Sequence, residues 1–101
     1  MSARIPIDSK KIADFCRWHH IRRLALFGSV LRDDFRPDSD VDVLVEFEPG
    51  HTPGFIHLYQ IEEEFSPLLG GHRPGLVTPG FINRRIRDRV LSEAEVQYAK
   101  G

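Results

Sequence analysis

The chain reads as a small mixed α+β domain with helices packed on a short sheet. Three observations predict this. Segments with apolar residues at helical spacing alternate with short runs of period-two or continuous apolar character. Turn-forming Gly and Pro fall between them, at 49–54, 66–71 and 79–80. A length of 101 residues suits one core, so 1–101 is read as a single domain.

Ile12, Phe15, Cys16 and His19 recur at helical spacing, with Lys10, Lys11, Asp14 and Arg17 opposite. This predicts a first helix over 8–19, capped by Asp8 or Ser9. His20 sits at its exit, where a left-handed residue is often needed. His19 and His20 lie on different sides of the helix end and lack a third partner at ligand spacing, so they are not read as a metal site. Trp18 is assigned to core or helix-rim packing.

Residues 21–27 form a strand with Leu24 and Leu26 on one face and Ala25 and Phe27 on the other, buried on both faces in its later half. Gly28 breaks it, and Ser29 is expected to cap a short helix from Val30 to Asp33 or Asp34. Pro37, Asp38 and Ser39 mark a loop. The clearest strand is 41–47: Val41, Val43, Val45 and Phe47 face one way, and Asp42, Leu44 and Glu46 the other. A loop at 48–54 leads to a helix near 55–66, whose Glu62, Glu63 and Glu64 read as a solvated face. A weak strand follows at 72–78, opposed by Pro74 and Gly75. Pro79-Gly80 is a turn. Ile82, Ile86, Val90 and Ala94 predict a last helix over 81–98.

Composition removes several functions. The net charge of -1 offers no electrostatic case for wrapping nucleic acid. A single cysteine, Cys16, rules out an internal disulfide and fits a reducing cytoplasm, the expected location. No apolar run approaches the ~20 residues a membrane span needs, and the first eleven residues lack the apolar core of a signal peptide.

The informative stretch is Leu26-Phe27-Gly28-Ser29-Val30, followed by Asp40-Val41-Asp42. Two carboxylates at period two on one strand face the same side, close enough to share a cation. Like charges this near repel unless a cation lies between them. An all-oxygen pair suits Mg²⁺ or Mn²⁺, which take one or two carboxylates and complete their shell with substrate phosphate. Gly28 lets a backbone approach closely, and the helix start at Ser29 offers N–H groups to an anion. The combination is a clamp for a nucleoside triphosphate and its metal.

Leu26-Phe27-Gly28-Ser29-Val30-Leu31-Arg32 and Arg36-Pro37-Asp38-Ser39-Asp40-Val41-Asp42-Val43-Leu44-Val45 resemble the minimal nucleotidyltransferases of the DNA polymerase β superfamily. Ten residues, Val30 to Ser39, separate the Gly-Ser pair from Asp40, a spacing specific to that superfamily. The segment 86–99 resembles the family's closing helix. The resemblance implies the minimal nucleotidyltransferase fold, a short mixed sheet of about three strands with flanking helices. It implies an antitoxin of the HEPN/minimal-nucleotidyltransferase type, which transfers AMP from ATP to a tyrosine of a HEPN-domain ribonuclease toxin and also binds it. Homo- or hetero-oligomers are compatible with this.

Carried over by motif position, Gly28 and Ser29 contact the triphosphate, and Asp40 and Asp42 hold Mg²⁺ and are catalytic. Arg32 and Arg36 stand where the family often has basic residues that meet phosphate; surface arginines are the equal alternative. One position departs. The family often carries a third aspartate on the next strand, and here the matching residue is Gly75. That implies either an active enzyme or an antitoxin that neutralises its toxin by binding alone. Glu46 shares the face of Asp42 but lies roughly 13 Å away along the strand, too far to substitute. Arg84, Arg85, Arg87 and Arg89 read as a solvated helix face, with Arg89 paired to Glu93, in preference to a docking surface.

Overall fold

A computed structural model of the chain describes residues 5, 7–32, 35–36, 38–78 and 84–100, with the side chains of Arg84 and Ile86 excepted. The expected turn at Pro79-Gly80, the start of the last helix at 81–83, and Asp33, Asp34 and Pro37 lie outside the described residues.

Helix α1 (Ser9–Trp18) starts where Asp8 accepts hydrogen bonds from the Lys10 and Lys11 amides at 3.1 and 3.2 Å, so the cap is Asp8 and not Ser9. His20 leaves it in the left-handed region with φ +57. Strand β1 (Ile21–Phe27) runs into a 3₁₀ turn at Gly28–Leu31. The expected Ser29 cap does not form: the turn begins at Gly28, two residues before Val30, and the residue at its cap position, Phe27, makes no side-chain cap bond. Strand β2 (Val41–Phe47), helix α2 (Phe55–Phe65), a second 3₁₀ turn (Ser66–Leu69) and strand β3 (Pro74–Val77) follow. Pro74 is tolerated because it opens an edge strand, where its missing N–H removes no ladder bond.

Two expectations at the C-terminus are corrected. Helix α3 covers Arg84–Glu93 and stops short of the expected end at 98, and Glu95–Ala99 is a fourth strand, β4, so among the described residues the sheet has four strands in the order β3-β2-β1-β4. The apolar stripe through Val90 and Ala94 carries the helical ladder only as far as the Ala94 amide, which donates to the Val90 carbonyl at 2.9 Å. Beyond it, the free edge of β1 offers unpaired backbone groups, and pairing with them outweighs local helical preference. Leu24 faces Tyr98 across this antiparallel pair, and the Lys100 amide donates to the Arg22 carbonyl at 2.8 Å.

β1 and β2 are antiparallel, with Leu24 opposite Val45 and Phe27 opposite Asp42; β2 and β3 are parallel, with Asp42 opposite Gly75. The sheet has two unequal faces. On one, Leu24, Leu26, Val41, Val43 and Val45 are buried with Ile12 and Cys16 of α1 and Phe65 of α2. On the other, Ala25 and Leu44 are covered by Val77, Val90 and Ala94. Asp42 shares this second face with Leu44, the residue against which Val90 of α3 is packed. Trp18 departs from expectation: it is 79% exposed at the end of α1 and belongs to no core. The glutamates of α2 are not all solvated either. Glu62 Oε2 accepts from the Leu76 amide at 3.1 Å, covering a donor on the β3 edge, and Glu64 meets His19 Nε2 at 2.7 Å. No helix among the described residues is long and apolar enough to cross a membrane.

Candidate active site

The site lies at the end of β1 and the start of β2, where antiparallel pairing sets Phe27 against Asp42. Gly28 takes φ +79, a conformation costly to any residue with a side chain. It is also crowded: a Cβ there would lie 2.3 Å from Asp42 Oδ2. The absence of a side chain at Gly28 is therefore what lets the Asp42 carboxylate rest over the turn.

Burial raises the Asp42 carboxyl above its ordinary value, the Asp40 charge raises it further, and Arg32 opposes both. That places two carboxylates and one guanidinium within electrostatic reach of each other. Asp42 is half-buried and Asp40 exposed. Two oxygen-donor carboxylates held at such a cost fit a hard divalent cation that brings its remaining ligands as water or phosphate. Among the described residues no group of three or more His, Cys, Asp or Glu could hold a metal ion by itself, so a cation here depends on that outside contribution.

Asp40 is held through its neighbours. The Ser39 amide donates to the Arg36 carbonyl and the Arg36 amide to Ser39 Oγ, both at 3.0 Å. His72 Nδ1 lies 3.0 Å from the Ser39 carbonyl; a carbonyl only accepts, so Nδ1 carries the proton. The Val41 amide donates to the Arg73 carbonyl at 2.9 Å. The peptide on each side of Asp40 is thus tied to the approach to β3.

Of the residues selected from the sequence, Gly28, Asp40, Asp42 and Arg32 converge. Ser29 follows Gly28 in the 3₁₀ turn, and its carbonyl accepts from the Arg32 amide at 2.9 Å. Arg36 is exposed and enters the fold through its backbone. Gly75 lies beside Asp42: a Cβ there would stand 3.8 Å from Asp42 Oδ1, in ordinary contact. The position matched to the family's third aspartate thus borders the pair and carries no carboxylate. Glu46, the distant acid, approaches Arg22 at 3.5 Å and Arg23 at 3.9 Å.

Sequence reasoning missed two features. His72 supports Asp40 from 33 residues away. Arg89 and Glu93 of α3, paired at 3.2 Å as expected, line a cavity of about 380 Å³ with Gly28, Leu31 and Arg32. The rotation of α3 about its axis, which decides this, has no local signal.

Known proteins resemble this chain in sequence and in fold. The nucleotidyltransferase domain family matches residues 9–96. MJ0435 of Methanocaldococcus jannaschii, provisionally named a protein adenylyltransferase, is 32% identical over 85 residues, 84% of this chain and 88% of its own. The protein adenylyltransferase MntA of Thermococcus cleftensis is 37% identical over 73 residues, 72% of this chain and 71% of its own. A solved structure provisionally described as a minimal nucleotidyltransferase superposes with TM-score 0.68 at 35% identity, covering 85% of both chains. Two more distant structures share the fold at 18% identity. One is a toxin–antitoxin with AMP-PNP, at TM-score 0.72 over 93% of this chain and 75% of that one. The other is a tri-AMPylated Shewanella oneidensis HEPN toxin in complex with its MNT antitoxin, at TM-score 0.64 over 91% and 70%. With the family matched along most of its length and the motif residues gathered at one end of the sheet, this chain belongs to the nucleotidyltransferase domain family, among its minimal members.

Proposed function

We propose that this chain is an antitoxin-type nucleotidyltransferase that transfers AMP from ATP to a tyrosine hydroxyl of a HEPN-domain toxin in the cytoplasm, and that it also binds that toxin. The observation that carries the reading is the Asp42 carboxylate seated over Gly28, with Asp40 and Arg32 beside it. The AMP-PNP and AMPylated-toxin complexes among the fold relatives support the choice of nucleotide and partner.

In this reaction the tyrosine oxygen forms a bond to the α-phosphorus, the bond to the bridging oxygen of pyrophosphate breaks, and the phenolic proton passes to solvent or a base. Asp40 and Asp42 would hold Mg²⁺ or Mn²⁺, which supplies charge neutralisation for the departing pyrophosphate. The backbone at Gly28 and Ser29 would meet the triphosphate through its N–H groups, and Arg32 would offset its charge. Asp42 keeps its orientation because Gly28 leaves room for it and β2 fixes its backbone.

Gly75 favours a second reading. With no carboxylate at the position beside Asp42, the hydroxyl lacks the base expected there, and general-base assistance is typically worth about 10²–10⁴-fold. An antitoxin so impaired would neutralise its toxin by binding alone. One experiment separates the two: incubate the chain with labelled ATP, Mg²⁺ and its purified toxin. Label on a toxin tyrosine that disappears with Asp42→Ala supports transfer. Protection from the toxin with no label, unchanged by Asp42→Ala, supports binding alone and sinks the enzyme reading.

A further inference from the structure

We propose that Arg89 of α3 is the second cation of a polyphosphate clamp and faces Arg32 across the cavity beside Gly28, an assignment that rests on the nucleotide-binding reading above. The cavity of about 380 Å³ is lined by Gly28, Leu31, Arg32, Arg89 and Glu93. Its Gly28 wall belongs to the turn over which the Asp42 carboxylate rests, so the cavity and the proposed metal pair share that glycine. Two guanidiniums at a cavity next to two carboxylates give the charge pattern of a metal-bound polyphosphate: the carboxylates face the cation, and the arginines face the phosphate oxygens that the cation leaves uncompensated.

Packing makes the arrangement specific to Arg89. The next residue, Val90, is packed against Ala25 and Leu44 on the sheet, which fixes the backbone of α3 at this turn. The Arg89 side chain is 79% exposed and its Nε meets Glu93 Oε1 at 3.2 Å, one helical turn on. An exposed pair of this kind is weak, so a polyanion entering the cavity can take Arg89 from Glu93. Glu93 then has two effects. It holds Arg89 at the cavity wall before nucleotide arrives, and its own negative charge opposes the phosphates. The clamp acts on the β- and γ-phosphates, the part that leaves as pyrophosphate, and not on the nucleoside.

The test is calorimetric titration of the intact chain with MgATP and with AMP. Arg89→Ala should weaken MgATP by about tenfold, the loss of one charge-assisted contact, and change AMP by less than about twofold. Arg89→Lys should recover most of the loss. Glu93→Gln should bind MgATP as tightly as the unsubstituted chain or up to a few-fold tighter. Arg17→Ala removes the same charge from α1, where Arg17 pairs with Asp14 at 2.8 Å, and should leave both affinities unchanged. Arg89→Ala binding MgATP like the unsubstituted chain overturns the clamp. So does an equal loss for AMP and MgATP, or an equal effect from Arg17→Ala. An unsubstituted chain that does not bind MgATP overturns the nucleotide-binding reading and the clamp with it, whereas binding that is lost with Asp42→Ala and kept with Arg89→Ala overturns the clamp alone.

Discussion

The Asp42 carboxylate occupies the space that a side chain at Gly28 would need, with Oδ2 standing 2.3 Å from where a Cβ would be. Gly28→Ala therefore meets two separate penalties. A Cβ at φ +79 costs about 1–2 kcal/mol in backbone strain, and the new methyl displaces the carboxylate from the pair. Urea unfolding should show a loss of at least that size. MgATP binding should fall by more than Ser29→Ala lowers it, since only the change at Gly28 displaces the Asp42 carboxylate. Equal stability for Gly28→Ala and the parent chain would refute the account.

Gly75→Asp tests whether the open position beside Asp42 limits the chemistry. A Cβ at residue 75 would stand 3.8 Å from Asp42 Oδ1 and 4.0 Å from the Val41 carbonyl, so the first atom of the new side chain makes ordinary contacts. If a missing general base limits transfer, labelled AMP should reach the toxin about 10²–10⁴-fold faster. The metal-free variant should be less stable than the parent, because a third carboxylate joins two that already repel. A folded variant with an unchanged rate would assign proton removal elsewhere.

Asp42 should weaken the metal-free protein that it serves. Burial and the Asp40 charge hold its carboxyl above 3.8 in the folded chain, against the opposing charge of Arg32. A carboxylate with a raised folded value binds its proton more tightly folded than unfolded, so its contribution is present at low pH and is lost as pH rises through the folded value. In chelator at pH 7, Asp42→Asn should melt higher than the parent, and the gap should close as pH falls below 3.8. Added Mg²⁺ should then raise the melting temperature of the parent and leave the variant unchanged. A variant less stable than the parent in chelator would contradict this.

The parts legible in the sequence were those with a local cause. The first helix, β1 and β2 follow from patterns within a dozen residues, and the candidate site residues Gly28, Asp40 and Asp42 are read from one short motif. What stayed hidden depends on distant partners. Glu95–Ala99 carries helical periodicity onward from Val90, and only the open edge of β1 makes it a strand. Trp18 sits on an element whose apolar stripe is satisfied by Ile12 and Cys16, so its exposure could not be inferred from its type. Arg89 looked like its neighbours because no local signal sets the rotation of α3 against the sheet.

The fourth strand gives a direct test of that correction. Tyr98 is half-buried against the main core and opposite Leu24, whereas Leu91 on α3 is 36% exposed. Tyr98→Ala should lower unfolding free energy by about 2 kcal/mol, below the cost of emptying a fully buried aromatic site. Leu91→Ala should cost about 0.5 kcal/mol or less. Hydrogen exchange adds an independent measure, since the Lys100 amide, bonded to Arg22 at 2.8 Å, should be protected. Rapid exchange there together with a small Tyr98→Ala effect would return 95–99 to a helix or a loose end.

If Asp40 and Asp42 hold the metal as proposed, His72 acts as a positioning residue for that pair. Its Nδ1–H donates to the Ser39 carbonyl at 3.0 Å, its ring lies 4.9 Å from that of Phe35, and its own carbonyl accepts from Ser66 Oγ at 2.9 Å. These contacts join the second 3₁₀ turn to the peptide preceding Asp40, which is itself exposed and has little else to orient it. Removing such outer support from a metal site typically lowers affinity by about 10–100-fold. His72→Ala should weaken Mn²⁺ binding within that range, and Asp40→Ala introduced into the same chain should then add less than it does alone, because both changes act on one carboxylate. His72→Asn, which can still donate to a carbonyl, should recover part of the loss. Fully additive effects would show that His72 acts through general stability and not through Asp40.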